Sequence, residues 1–170
     1  MLLFLLGFMG SGKTTIGKKL ANILHYAFID LDAAFEQRHN ISISDYFQRY
    51  GEAQFRNEEQ QLLHSTLHLQ DTIISLGGGT PCHFDNLQQI KQAGFTIYLK
   101  LSPTSLVQRL ANSPTPRPLV AGKSLPELQA YVETTLQQRE PYYQQADLIV
   151  KGELGRKQII QTIINHLAHA

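Results

Sequence analysis

Residues Gly7-Phe8-Met9-Gly10-Ser11-Gly12-Lys13-Thr14 satisfy the spacing G-x-x-x-x-G-K-S/T at every fixed position. That spacing suits the binding of a nucleoside triphosphate. Glycine permits positive φ, so the backbone can curl until several N–H groups face one anion. Lys13 brings a mobile ammonium to the outer phosphates, and the Thr14 hydroxyl suits a magnesium ion bridging them. A helical pattern follows directly, and its N-terminus adds positive potential. The expected cradle is Gly10, Ser11, Gly12, Lys13, Thr14 and Thr15.

A second set of chemically capable residues lies further along. Asp30 and Asp32 close the short apolar segment 26–29, which puts two carboxylates at a strand's C-terminal end, where open α/β sheets bind ligands. Asp32 also suits the N-cap of the helix that follows. Gly77-Gly78-Gly79 comes straight after the apolar run 71–76, and three glycines there point to a close approach of backbone to ligand. Arg56, Arg117 and Arg139 are candidate anion ligands, although any one arginine alone is as readily a surface charge. Arg156 could simply cap or decorate the final helix. His64 and His68 have metal-ligand spacing, but Ser65 stands where a zinc protease would carry Glu, so zinc is not expected.

These residues need a scaffold, and hydrophobic periodicity supplies one. Buried-strand patterns occupy residues 2–6, 26–29, 71–76, 95–99 and 146–150. Helical patterns occupy 15–24, a stretch from Asp32, a short helix from Ser42 stopped at Tyr50-Gly51, a second from Glu52 to about His68, and then 84–93, 104–111, 125–145 and 156 to the end. Pro141 is expected to end or kink the helix over 125–145. Phe47, Tyr50 and Phe55 read as core. Strands alternating with helices give a doubly wound parallel α/β sheet with helices on both faces. The 170 residues, 42% hydrophobic, suit a single domain. Within it, residues of about 32–69 form a helical substrate-binding insertion. Residues of about 112–124, with Pro114, Pro116 and Pro118 around Arg117, form a lid.

Composition narrows the function. Fifteen basic against 14 acidic residues leave a net charge of +1, so no broad field attracts nucleic acid or an anionic membrane. The run at residues 2–6 is far too short for a membrane span or a signal peptide. Cys82, the one cysteine, cannot form an internal disulfide; it reads as a small buried thiol and fits a reducing cytoplasm. No heptad or repeat asks for a partner, so a monomer is expected.

A triphosphate cradle is shared by GTPase switches, ATPase motors and small-molecule kinases. No Asn-Lys-x-Asp base-reading motif follows residue 99, and the third strand ends in glycines rather than a Walker-B acid. The ordered anchors Gly7 to Thr15, Asp30-Leu31-Asp32, Gly51-Glu52-Ala53-Gln54-Phe55-Arg56 with Glu59, Leu76-Gly77-Gly78-Gly79, Arg117-Pro118-Leu119 and Arg139-Glu140-Pro141-Tyr142-Tyr143 resemble the shikimate kinase family over the whole chain. The resemblance implies a three-layer P-loop kinase fold with a five-stranded parallel sheet. It also implies ATP- and Mg2+-dependent phosphorylation of the 3-hydroxyl of shikimate, in aromatic amino-acid and chorismate biosynthesis. It makes Lys13, Asp32 and Arg117 the catalytic residues. Asp32, Arg56, Gly77, Gly78, Gly79 and Arg139 become the shikimate ligands. Arg109, Arg117 and Arg156 join the cradle in binding ATP, and Thr14, with Asp30 through water, serves the metal. A kinase for gluconate or a nucleoside monophosphate is the nearest competing reading, and a silent ATP-binding regulatory module is another.

Overall fold

A computed structural model describes residues 1–114 and 119–169. In chain order the elements are β1 (Leu2–Leu6), α1 (Lys13–Leu24), β2 (Ala27–Asp30), α2 (Leu31–His39), α3 (Ile43–His64), β3 (Thr72–Ser75), a short 3-10 turn (Thr80–Cys82), α4 (Asn86–Ala93), β4 (Phe95–Lys100), α5 (Pro103–Ala111), α6 (Leu125–Tyr143), β5 (Leu148–Lys151) and α7 (Arg156–Leu167). All five strands are parallel, in the order β2-β3-β1-β4-β5.

The central strand shows why the sheet is covered on both faces. Every residue of β1 is buried, and successive side chains point to opposite sides. Leu2, Phe4 and Leu6 join a core with α2 to α6, whereas Leu3 and Leu5 join a second core with Ile16 and Leu20 of α1 and Ile159, Ile160 and Ile163 of α7. This is a three-layer architecture with helices on both faces of a parallel sheet, as the resemblance implies. The chain runs from β1 to the edge strand β2, returns to β3 beside β1, then crosses to β4 on the other side. Direction therefore reverses next to β1. The loops after β1 and β3 open onto the crevice at that switch point, where doubly wound sheets place their ligands.

Local differences from the expected elements have physical reasons. Asp30, not Asp32, is the N-cap of α2: its carboxylate accepts from the Ala33 N–H at 3.2 Å, and Asp32 is the acid of the first helical turn. The two helices expected around Gly51 run together as α3 with a kink at that residue, whose φ of 80° and ψ of 170° leave the helical region. The second half stops at His64 rather than near His68, because the hydroxyls of Ser65 and Thr66 bond back to the Leu62 and Leu63 carbonyls. His64 and His68 therefore do not share a helix face. Pro141 lies inside α6, which continues two residues beyond it, to Tyr143 rather than Gln145. In the last turn its missing N–H costs a single bond. Phe55 is core and Phe47 packs against it, but Tyr50 is exposed beyond Tyr46. Among the described residues no helix is long and apolar enough to cross a membrane.

Candidate active site

The loop after β1 curls as the glycine spacing requires. Gly7, Gly10 and Gly12 have φ of 148°, 80° and 97°, and the turn closes with a Ser11 N–H bond to the Phe8 carbonyl at 3.1 Å. Gly12 is the N-cap of α1 and carries no side chain to accept from the first-turn N–H groups. Those donors face an open cleft of about 780 Å³ lined by residues 9–16, Asp30, Asp32, Gly78, Arg109, Gly152 and Arg156. A helix start of this kind binds anions. Lys13 is buried, its Nζ donating to the Gly7 and Phe8 carbonyls at 2.7 and 3.0 Å. The ammonium is thereby held over the loop.

Thr14 Oγ1 donates to Asp30 Oδ2 at 2.7 Å, and both residues line the cleft. The hydroxyl proton is committed to Asp30, so the Thr14 oxygen presents only lone pairs. A hydroxyl and a carboxylate side by side are the hard oxygen donors that suit magnesium. The residues fit such an ion.

Two arginines lie at the far side of the cleft. Arg109, on α5, donates to the carbonyls of Gly10 and Ser11 at 3.4 Å and of Gly152 at 3.1 Å, and so ties the cradle to the loop after β5. Arg156 is the first residue of α7, where the helix dipole gives a cation no support. Arg117 lies outside the described residues, as does part of the expected lid.

The loop after β3 works differently. None of Gly77, Gly78 and Gly79 has a positive φ. Each has a functional side chain pressed against it. A methyl group at Gly77 would come within 2.7 Å of Asp32 Oδ1, at Gly78 within 2.8 Å of Arg139 Nη1, and at Gly79 within 2.6 Å of Arg56 Nη2. The absence of Cβ atoms lets one carboxylate and two guanidinium groups converge on a few ångströms of backbone beside the phosphate cradle. The structure therefore brings Asp32, Arg56 and Arg139 together from α2, α3 and α6.

The two arginines are held by unlike means. Arg56 donates to Glu59 Oε1 at 2.9 Å, Glu52 lies 3.6 Å from its Nε, and Glu59 is buried with its other oxygen accepting from the Thr80 hydroxyl at 2.8 Å. Arg139 has no carboxylate partner among the described residues. Its guanidinium lies 5.5 Å from the centre of the Phe8 ring and beside the Tyr143 hydroxyl. Glu59 and Tyr143 received no role from the sequence. Their signals were the i,i+3 spacing from Arg56 and the i,i+4 spacing from Arg139.

Asp32 is reached by solvent through the mouth of the cleft, while protein surrounds it on its other sides. That enclosure, with the nearby Asp30, Glu59 and Glu36 carboxylates, pushes its pKa up to about 6 against the opposing pull of Lys13. Cys82 is half-buried behind the same loop. Burial pushes its thiol up to about 11 despite Arg139 and Arg56, so it stays protonated and unreactive.

A family model described as shikimate kinase matches residues 9–168. The shikimate kinase of Bacteroides fragilis is 40% identical over 166 residues, covering 97% of this chain and 93% of its own. A crystal structure of shikimate kinase from Bacteroides thetaiotaomicron superposes with a TM-score of 0.92 at 36% identity, covering 99% of this chain and 97% of the other. The shikimate kinase of Acinetobacter baumannii, solved in complex with shikimate, gives a TM-score of 0.90 at 27% identity, with 99% and 93% covered.

Proposed function

The chain belongs to the shikimate kinase family, and from that premise we propose that it transfers the terminal phosphoryl group of ATP to the 3-hydroxyl of shikimate. The products are shikimate 3-phosphate and ADP, in the pathway to chorismate and the aromatic amino acids. The observation that carries this reading is the convergence of Asp32, Arg56 and Arg139 on Gly77 to Gly79, next to a triphosphate cradle. A small acid with several hydroxyls needs guanidinium groups for its carboxylate, an acceptor for its hydroxyl protons and close backbone access. A nucleotide acceptor would need a base pocket and a second phosphate site instead.

In the proposed mechanism the first turn of α1 and Lys13 hold the β- and γ-phosphates, and Lys13 exchanges its loop carbonyls for phosphate oxygens. Thr14 and Asp30 would hold the magnesium ion, which supplies neutralisation of phosphate charge when bound. Arg139 and Arg56 grip the carboxylate and so fix the ring, which turns its 3-hydroxyl toward the γ-phosphorus. Asp32, with its carboxyl raised to about 6 and so a stronger base than an ordinary carboxylate, takes the hydroxyl proton as the new O–P bond forms. The bond from the γ-phosphorus to the bridging oxygen breaks, and ADP leaves with its electron pair. Arg117, assigned from its Arg-Pro-Leu context alone, meets the transferred phosphate, and Arg109 and Arg156 serve the adenine side of the cleft. Alignment and charge neutralisation provide most of the rate gain in such a transfer. The single cysteine supports a cytoplasmic setting.

The test is ADP release from magnesium-ATP by the purified chain, with shikimate, gluconate and nucleoside monophosphates offered separately. Release with shikimate alone is expected. Release with another acceptor would keep the kinase and overturn the acceptor assignment; ATP binding with no release would favour a regulatory module.

A further inference from the structure

The last turn of α6 carries three side chains in three directions, and two of them are explained. Arg139 faces the glycine loop, while Glu140 faces β4, accepting from the Tyr98 hydroxyl at 2.7 Å and pairing with Lys100 at 2.8 Å. The third, Tyr143, is fully buried, its ring 5.0 Å from that of Tyr98. A buried phenol needs a partner, and this one has the Gly78 carbonyl.

We infer that Tyr143 is a positioning residue for the acceptor pocket: its hydroxyl donates to the Gly78 carbonyl beside the Arg139 guanidinium, and so fixes backbone and arginine relative to each other. A phenol has one proton to give, and here it goes to Gly78. The Gly78 carbonyl is thereby held at the point against which the Arg139 guanidinium rests.

The choice of tyrosine has a consequence that a carboxylate would not give. Glu59 holds Arg56 by neutralising it. Tyr143 acts on the backbone beneath Arg139 as a neutral group and leaves the arginine's charge for the acceptor's carboxylate. This inference rests on the reading of Arg139 as an acceptor ligand, so the experiment must separate the two.

The experiment compares Tyr143→Phe, Tyr98→Phe, Arg139→Ala and the double variant Tyr143→Phe/Arg139→Ala, by melting temperature and by kcat and KM for shikimate and ATP. Phenylalanine keeps the packing of either ring. Tyr98→Phe removes a comparable phenol bond from the same helix end without touching Arg139 or Gly78, and serves as the control for destabilisation. Tyr143→Phe is expected to raise the shikimate KM about tenfold, with ATP KM and kcat within about twofold. Tyr98→Phe should lower the melting temperature similarly and leave the shikimate KM within about twofold. On the Arg139→Ala background the Tyr143→Phe effect should shrink, because the two act as one unit. If Arg139→Ala raises the shikimate KM and Tyr143→Phe does not, the positioning role is wrong and the acceptor reading stands. An unchanged KM in Arg139→Ala would overturn that reading itself. Equal KM increases in the two phenylalanine variants would reduce Tyr143 to a general packing role.

Discussion

Two glycine loops face the same cleft, and they need glycine for unlike reasons. In the loop after β1 the need is conformational, since Gly7, Gly10 and Gly12 all sit at positive φ. In the loop after β3 the need is space, since ordinary backbone angles are combined with three functional side chains at contact distance. The difference matches what each loop would meet in the proposed reaction. The first would offer main-chain N–H groups to phosphate oxygens, which look much alike in any triphosphate. The second brings in a carboxylate and two arginines from three helices, a combination suited to one shape of acceptor. The common part of the reaction is built from backbone, and the selective part from side chains leaning on backbone.

The comparison can be broken most severely at Lys13. Lys13→Ala is expected to lower kcat by about a thousandfold, the scale for removing a preorganised charge-stabilising donor. The loop carbonyls that Lys13 holds lie at the cleft, where water can replace it. Turnover and a thermal melt on the same sample check this, and near-normal turnover would remove Lys13 from the mechanism.

The next largest effect separates the two arginines. Arg56→Ala strands the buried Glu59, leaving only its bond from Thr80. Breaking a buried ion pair from one side costs about 3 kcal/mol. Arg139→Ala strands no carboxylate, so urea unfolding should show a clear loss for the first variant and little for the second. Equal midpoints would mean that Glu59 finds another partner.

How much of this was legible in the sequence follows the same division. The first loop is contiguous, its spacing is fixed by local backbone geometry, and it was readable from Gly7 to Thr14. The strands were readable too, because each is a short apolar run between turn signals, and β1 has the expected bounds. The second site joins residues 32, 56, 77–79 and 139, and no local rule brings them together. Asp32 and the three glycines stood out at strand ends, but their union with Arg56 and Arg139 came from a family resemblance, and the partners Glu59 and Tyr143 had only helical spacing to announce them. The N-cap of α2 went to Asp32 in the sequence because both acids suit it. The choice of Asp30 depends on where β2 ends, a boundary set by pairing with β3.

A matched pair of alanine substitutions tests the glycine comparison directly. Gly12→Ala puts a side chain at φ of 97°, a left-handed conformation costing about 1–2 kcal/mol. It should destabilise the fold and raise the ATP KM. Gly79→Ala keeps an ordinary backbone and instead pushes a methyl against the Arg56 guanidinium, the movable end of a flexible side chain. It should raise the shikimate KM about fivefold to tenfold with little loss of stability, since it perturbs one charge-assisted contact. If both variants weakened ATP equally, the loops would not divide the labour as proposed.

The smallest effect concerns a carboxylate that lies between the two loops. Asp32 faces the cradle across the cleft and rests against Gly77, and its carboxyl is raised from the ordinary 3.8 to about 6. Between those values the folded protein holds a proton that the unfolded chain has released, so stability falls as pH rises from about 4 to about 6 and the cost is fully present above that. Asp32→Asn removes the charge and should therefore raise the melting temperature at pH 8 but not at pH 4. Solvent at the mouth of the cleft screens the carboxylate and keeps the gain small. In the unmodified enzyme kcat/KM for shikimate should decline as pH drops through about 6, because proton acceptance needs the carboxylate. A flat profile there, with the asparagine variant still more stable at pH 8, would leave Asp32 strained by its surroundings and deny it the proton; its work would then be to orient the hydroxyl.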